Sequence, residues 1–313
     1  MSDQQLADWQ FDVAGVAIGH GTRVPVSDVL GIGTPDKRSG AVPIPGEDGS
    51  LPGVDLLGPR SLRIEAGIRT PGDPGAALDL FAALERTAAS DTRLTAGQAD
   101  ILRVKRPGQG ARRQYGRVID VKAVSLAGVV HGWIPVEVDF AGLDPLWHSD
   151  VLSGLTLPLD ISSQRKQGFT APLKAPITTG TANPATRPGW VTNAGDRAAW
   201  PTLRITGPVV NPRVWIQPDA AATPAPGAAP VAPGAVLDFA VVLGDGEWLD
   251  IETRPGTRWV LRNGLGSAAG ALRASRLDRF QVPPGRSELR WTADDSTATS
   301  RLAVTWRDAY TSY

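Results

Sequence analysis

From about Asn193 to Tyr313 the chain is a succession of short β-type runs, each closed by glycine, proline or asparagine-glycine. NAGDRAAWPTLRITGPVVNPRVWI, GEWLDIETRPGTRWVLRNG, FQVPPGRSELRW and RLAVTWRDAYTSY read in that order. Apolar runs fall near 203–206, 213–217, 236–243, 248–253, 258–262, 280–282, 287–292 and 301–306. About eight short strands with turn residues between them favour a two-sheet sandwich of jelly-roll type. No block gathers the residue types that catalysis requires, so this third of the chain reads as scaffold.

The N-terminal part is also β-rich, with one interruption. Phe11, Val13, Val16 and Ile18 precede a break at Gly19-His20-Gly21, and Val24, Val26, Val29 and Leu30 follow it. Residues 38–59 are rich in Gly and Pro and predict a long loop or an extended arm. Ser61–Arg69 alternates apolar and polar residues, as a half-buried strand does. Asp73 is then a good N-cap and Pro74 suits the first helical turn. Ala77, Leu80, Phe81, Leu84 and Ala88 share one face, which predicts a helix over 74–89 packed on a sheet. Strands resume at 99–105, 114–124 and 133–140, with a basic loop (Lys105, Arg106, Arg112, Arg113) in a hairpin.

The expected organisation is an α+β domain at 1–150, a connecting segment at 151–192 and a sandwich at 193–313. LTLPLDI, early in the connecting segment, could pair at a domain edge or simply link. Pro218–Gly234, dominated by Ala and Pro, predicts a low-complexity loop stiffened by proline.

Composition narrows the function. Thirty-two basic and 32 acidic residues balance, so no bulk field draws the chain to nucleic acid or anionic membrane. No apolar run approaches the roughly 18 to 20 residues of a membrane span, and MSDQQLADWQFDV is not a secretory signal. Without cysteine there are no disulfides, thiolate zinc sites or cysteine nucleophiles. His20, His131 and His148 show no metal-binding spacing and read as structural or surface residues. The chain lacks G-x-S-x-G and a Walker-type GK[ST], and Gly31-Ile32-Gly33 lacks the third glycine of a dinucleotide fingerprint. Asp245, Glu247, Asp250 and Glu252 gather around a turn, with Asp294-Asp295 in another, and read as solvated acids instead of a glycosidase pair. Neither a catalytic residue, a metal ligand nor a cofactor is expected.

Tryptophan is the enriched residue, with 10 in the chain. Trp200, Trp215, Trp248, Trp259, Trp291 and Trp306 all lie in the second domain. Location inside predicted strands favours core or subunit contacts. The competing reading is a carbohydrate site that stacks sugar rings on exposed indoles, with Trp215, Trp248 and Trp259 as its candidates.

The order of these features resembles the distal tail proteins of long-tailed (siphovirus-type) bacteriophages, a minor tail protein family. The likeness is clearest over 61–147 and 193–306. The first window ends with Val138-Asp139-Phe140 and Asp144-Pro145-Leu146-Trp147, similar to the family's Asp-Pro-aromatic-Trp ending. The second carries Asn193-Ala194-Gly195, Trp200-Pro201, Gly207-Pro208, Pro212, Asp250-Ile251-Glu252 and Pro283-Pro284-Gly285. The loops at 38–59 and 218–234 depart from it.

The resemblance implies a mainly β fold: an N-terminal α+β tail-ring domain with one helix, then a galectin-like β-sandwich. It also implies a structural role at the tail tip of a virion assembled in the host cytoplasm. Six copies would form a ring joining the tail tube protein to the tail-tip hub or baseplate protein. Other expected partners are the tape measure protein and receptor-binding proteins, with DNA only as passing cargo. The alternative is a carbohydrate-binding module contacting the host surface.

Overall fold

The computed structural model describes residues 5–159, 189–219, 235–273, 275–295, 297 and 299–313. The proline-rich loop expected at 218–234 lies outside the described residues from 220 onward. The chain divides into two compact units, Met1–Val151 with Tyr310–Tyr313, and Leu152–Ala309. The first unit therefore takes back four residues from the far end of the sequence.

In the first unit, β1 (Gln10–Val13), β2 (Val16–Gly19) and β3 (Val26–Leu30) come before an exposed hairpin. The hairpin is built of β4 (Lys37–Arg38), β5 (Val42–Pro43), β6 (Ser50–Leu51) and β7 (Leu56–Leu57). After it come β8 (Arg60–Arg69), α1 (Pro74–Ala88), β9 (Asp100–Lys105), β10 (Arg112–Ala123), β11 (Trp133–Gly142) and β12 (Trp147–Ser149). The main sheet runs β2-β1-β9-β10-β11-β8-β3, antiparallel throughout, so β2 and β3 are its edges.

Strand alternation sets the core. Leu62, Ile64, Ala66 and Ile68 of β8 are buried, as are Ile134, Val136, Val138 and Phe140 opposite them on β11. A one-residue slip would turn all eight outward, so burial enforces this register. Helix α1 is built as its sequence predicts. The Asp73 side chain accepts from the Ala76 N–H at 2.9 Å, and Ala77, Leu84 and Thr87 are buried. Leu80, Phe81 and Ala88 pack more loosely on the same core.

In the second unit the strands are β13 (Ser153–Pro158), β14 (Trp190–Asn193), β15 (Thr202–Thr206), β16 (Val209–Pro218), β17 (Val236–Phe239), β18 (Val242–Leu243) and β19 (Trp248–Glu252). They continue with β20 (Trp259–Arg262), β21 (Gly266–Ser267), β22 (Leu272–Arg273), β23 (Gly285–Asp294) and β24 (Arg301–Trp306). One sheet has the order β13-β24-β15-β19-β20-β21. The other is β14-β23-β16-β17-β22, with β18 also on β16. Leu203, Ile205, Leu249, Ile251, Leu302 and Val304 from the first sheet, and Val214, Ile216, Leu237, Phe239 and Leu289 from the second, are the sandwich core. Two core tryptophans tie the sheets together: Trp291 Nε1 donates to Pro158 O at 3.2 Å, and Trp306 Nε1 to Thr192 O at 3.1 Å.

Of the two alternatives the sequence leaves for 153–158, pairing at an edge or simply linking, the first is found: they form an edge strand paired along its whole length with β24. The backbone finds its partner over a hundred residues away, which local sequence cannot reveal. The run at 280–282 contributes buried Phe280 and Val282 through one bridge to Ala199 instead of a strand.

Candidate interaction surfaces

The polar residues that stand out in the sequence are mostly consumed by the fold. His148 is 4% exposed, 2.8 Å from Asp144 Oδ2 and tilted against the Tyr115 ring. Among the described residues, no group of three or more His, Asp or Glu could hold a metal ion, and no helix is long and apolar enough to cross a membrane.

The basic hairpin is likewise committed. Arg113 binds Asp150 at 2.5 Å, and buried Arg103 lies between Asp12 and Asp150, 3.0 Å from each. Arg112 stacks on Tyr310 at 3.8 Å and donates to Ser312 O, while Arg106 lies 4.7 Å over Tyr313. The loop thus receives the C-terminal tyrosines of its own chain.

Nothing in the sequence singles out Arg60, yet it organises this unit. Only 1% exposed, it donates to Ile32 O (3.1 Å), Gly33 O, Pro145 O (3.0 Å) and Thr311 O (3.1 Å). Burial lowers its pKa from the ordinary arginine value, opposed by the Asp144 carboxylate. One guanidinium therefore fastens the root of the hairpin, the Asp144–Trp147 corner and the returning C-terminal segment.

The acids of the second unit have separate partners. Glu247 accepts from Arg262 and from the Gly244 N–H, both at 2.6 Å, and the Arg262 bond foremost holds its pKa below the usual carboxylate range. Arg204 grips Asp250 with two bonds of 2.6 and 3.0 Å, which raises the arginine's pKa. Glu252 accepts from Thr202 Oγ1 at 3.2 Å and from the Arg254 N–H at 2.9 Å.

The tryptophans separate by face. Trp291 and Trp306 are core residues. Trp248 and Trp259 belong to adjacent strands of one sheet, whereas Trp215 belongs to the other sheet. With Leu249 and Ile251 buried, alternation puts Trp248, Asp250 and Glu252 on the outer face. Trp259 pairs with Glu252 in register and is 37% exposed. Trp248 Nε1 donates to Asp250 Oδ2 at 2.9 Å, with Arg204 5.5 Å from its ring centre. The three candidates are not brought to one site.

Two features of the first unit remain unabsorbed. The β4–β7 hairpin forms two small two-stranded sheets that pair with nothing but themselves. It exposes Val42, Leu51, Val54 and Leu56. At its waist a Cβ on Gly53 would stand 1.9 Å from Gly40 O, so the two strands cross where neither can carry a side chain. A cavity of about 450 Å³ opens beside the edge strand β3. Phe11, Val26, Val29, Ile32 and Val104 form its apolar lining, and Trp9, His20, Lys105, Arg106 and Tyr313 its more polar rim. Trp9 is 56% exposed and has a left-handed backbone (φ 63°).

No protein-family model matches this sequence, and no curated protein matches it. Solved structures do. The Dit (gp 19.1) protein of phage SPP1, described as a paradigm of the hub adsorption apparatus in phages infecting Gram-positive hosts, aligns with a TM-score of 0.51 and 15% identity. That alignment covers 96% of this chain and 98% of the Dit chain. Chains of the phage P2 baseplate in its activated conformation, with calcium and with strontium, align at TM-scores of 0.50 and 0.51 with 11% and 10% identity. Each covers 95% of this chain and 97% of the other. Across nearly its whole length, the chain has the fold of phage hub and baseplate proteins.

Proposed function

We propose that the chain is the distal tail protein of a long-tailed phage, a structural component without enzymatic activity. Six copies form a ring that joins the tail tube to the tail-tip hub, contacting the tape measure and receptor-binding proteins, while DNA passes through the central opening. The N-terminal unit makes the ring and the sandwich is its galectin-like appendage. The observation carrying this reading is the end-to-end fold likeness to hub proteins, which spans both units. Heterologous contacts between identical copies close naturally by cyclic symmetry, and β-sheet edges find partners there. Light scattering on the purified chain, with class averages of negatively stained particles, tests it. A closed ring of six with a central opening is expected. Tail particles that lack this protein at the tube–hub junction would overturn the reading.

A second reading, glycan binding, is favoured by the outer face carrying Trp248 and Trp259 with Arg204, Asp250 and Glu252 between them. Aromatic platforms beside fixed charged groups suit sugar rings, which present apolar faces and hydroxyl rims. On this geometry Trp215 is not part of the same face. Host cell-wall polysaccharide should retain the chain, and Trp259→Ala should weaken retention more than Trp215→Ala. Equal retention of all variants would dismiss the site.

A further inference from the structure

The exposed β4–β7 hairpin is an incomplete structure by itself. A two-stranded ribbon is marginal in water without something to pack on, and this one shows four large aliphatic side chains to solvent. Its tip turns through Ile44–Gly49, closed by Ile44 N–H to Gly49 O at 3.2 Å, and carries Glu47 and Asp48. The tip is therefore acidic, and the stem shows these four aliphatic side chains beside exposed Lys37 and Arg38.

The cavity beside β3 has the opposite character. Its lining is largely apolar, and Lys105, Arg106 and His20 also border it, with Asp28 as the one lining acid. Lys105 lies 3.4 Å from Asp8, and Arg106 bonds Gln109 Oε1 at 2.6 Å besides its Tyr313 contact, so an incoming acid would share these cations with their present neighbours. One wall is β3, an edge strand paired on one side only, with β8. Consecutive residues Pro25–Val29 line the cavity, as the open side of an edge strand does. An extended segment entering there meets the open side of an edge strand, an apolar lining and a rim that includes Lys105 and Arg106.

The hairpin does not fill its own chain's cavity: none of residues 36–58 lines it. Its root, four residues beyond the lining residue Ile32, is closed by Gly58 N–H to Asp36 O at 2.6 Å. A second copy of the chain has the matching segment and can bring it in.

We propose that the hairpin tip of one copy inserts into the β3-side cavity of the next, with Glu47 and Asp48 at the Lys105–Arg106 rim and apolar arm residues on the lining. This rests on the ring reading and names its contact. Being heterologous, the contact repeats from copy to copy until the ring closes.

Because the chain has no cysteine, single engineered thiols report the contact without background. Glu47→Cys and Ser27→Cys proteins, purified separately, are mixed under mild oxidation, and wild-type mass is measured by light scattering. The expected result is a disulfide-linked pair joining position 47 of one protein to position 27 of the other. Either protein alone should give little product, and the double variant a ladder. Asp48→Lys added to the Glu47→Cys protein should lower the yield about threefold, as should high salt, since one exposed ion pair is at stake. A wild-type ring with no 47-to-27 product would overturn the arm contact and leave the ring standing. A wild-type monomer with no product would overturn both. A monomer that still cross-links specifically would support the contact and count against a self-sufficient ring.

Discussion

Replacing Arg60 by methionine removes the one side chain that reaches four carbonyls from three separate parts of the first unit. With the residue 1% exposed, water cannot simply take the vacated place. At about 1 kcal/mol for each orphaned acceptor the loss is about 4 kcal/mol. The guanidinium also lies 5.9 Å over the Trp147 ring, which adds at most about 1 kcal/mol. Relief of the buried charge offsets roughly 1 kcal/mol of this. A net loss of about 3–5 kcal/mol follows, enough to lower the melting point of a unit this size by about 10 °C. Arg60→Lys keeps charge but not the planar fork, so it should lose about half as much. The chain has two units, so a single unfolding curve is not two-state. Amide hydrogen exchange resolved by peptide is the suitable assay. Protection should fall in residues 30–36, β8, β12 and 310–313, while β15, β19 and β24 keep theirs. A loss below about 1 kcal/mol, or an equal loss in both units, would refute the argument.

Asp73→Ala removes the cap on α1 and should cost about 1 kcal/mol, read as a lower melting point of the first unit. Gly132→Ala places a Cβ 1.8 Å from Thr70 O at a backbone φ of 75°, and should cost more than about 2 kcal/mol by denaturant titration. Asp295 is pushed up by desolvation, but bonds from Thr297 and Ser300 outweigh this and bring its pKa to about 2. Its folded pKa is lowered, so its contribution is present above the unfolded value near 3.8 and lost as pH falls toward 2. Asp295→Asn should therefore destabilise the sandwich near neutral pH by at most about 2 kcal/mol. Below pH 2 it should match the wild type, as melting points across pH would record.

The helix is legible because its signals are local: a cap, a proline in the first turn and a 3.6-residue stripe, giving Pro74–Ala88 where 74–89 is predicted. The long strands are legible for the same reason, since alternation is written within ten residues. Ser153–Pro158 is ambiguous in sequence because its partner is β24, and the pairing energy is absent from the segment itself. Arg60 is invisible there because its acceptors are backbone carbonyls, which every residue has. The faces of the tryptophans are partly readable. In Trp248-Leu-Asp-Ile-Glu252, the apolar Leu249 and Ile251 alternate with Trp248, Asp250 and Glu252, which assigns this tryptophan to the polar face. Strand membership alone points to the core, and alternation is the finer signal.

What the fold leaves uncommitted is more informative than what it uses. Arg103, Arg113 and Asp150 are locked to one another, Arg112 and Arg106 to tyrosines, and Arg204 to Asp250. Of these, only the first unit's Asp12–Arg103–Asp150–Arg113 network is nearly buried, and ionic groups so placed fix register more than they add stability. Against that network, Val42, Leu51, Val54 and Leu56 stand exposed on a ribbon whose strands pair only with one another. Burying the exposed part of these four side chains, between half and four-fifths of each, is worth at most roughly 4 to 7 kcal/mol, comparable to the whole stability of a marginal domain. A monomer forgoes that energy, whereas an assembly in which each copy covers its neighbour's arm gains it once per interface. If the proposed ring forms, the buried network and the exposed arm would share one physical explanation: each unit would receive its neighbour in a fixed orientation, as ring closure demands.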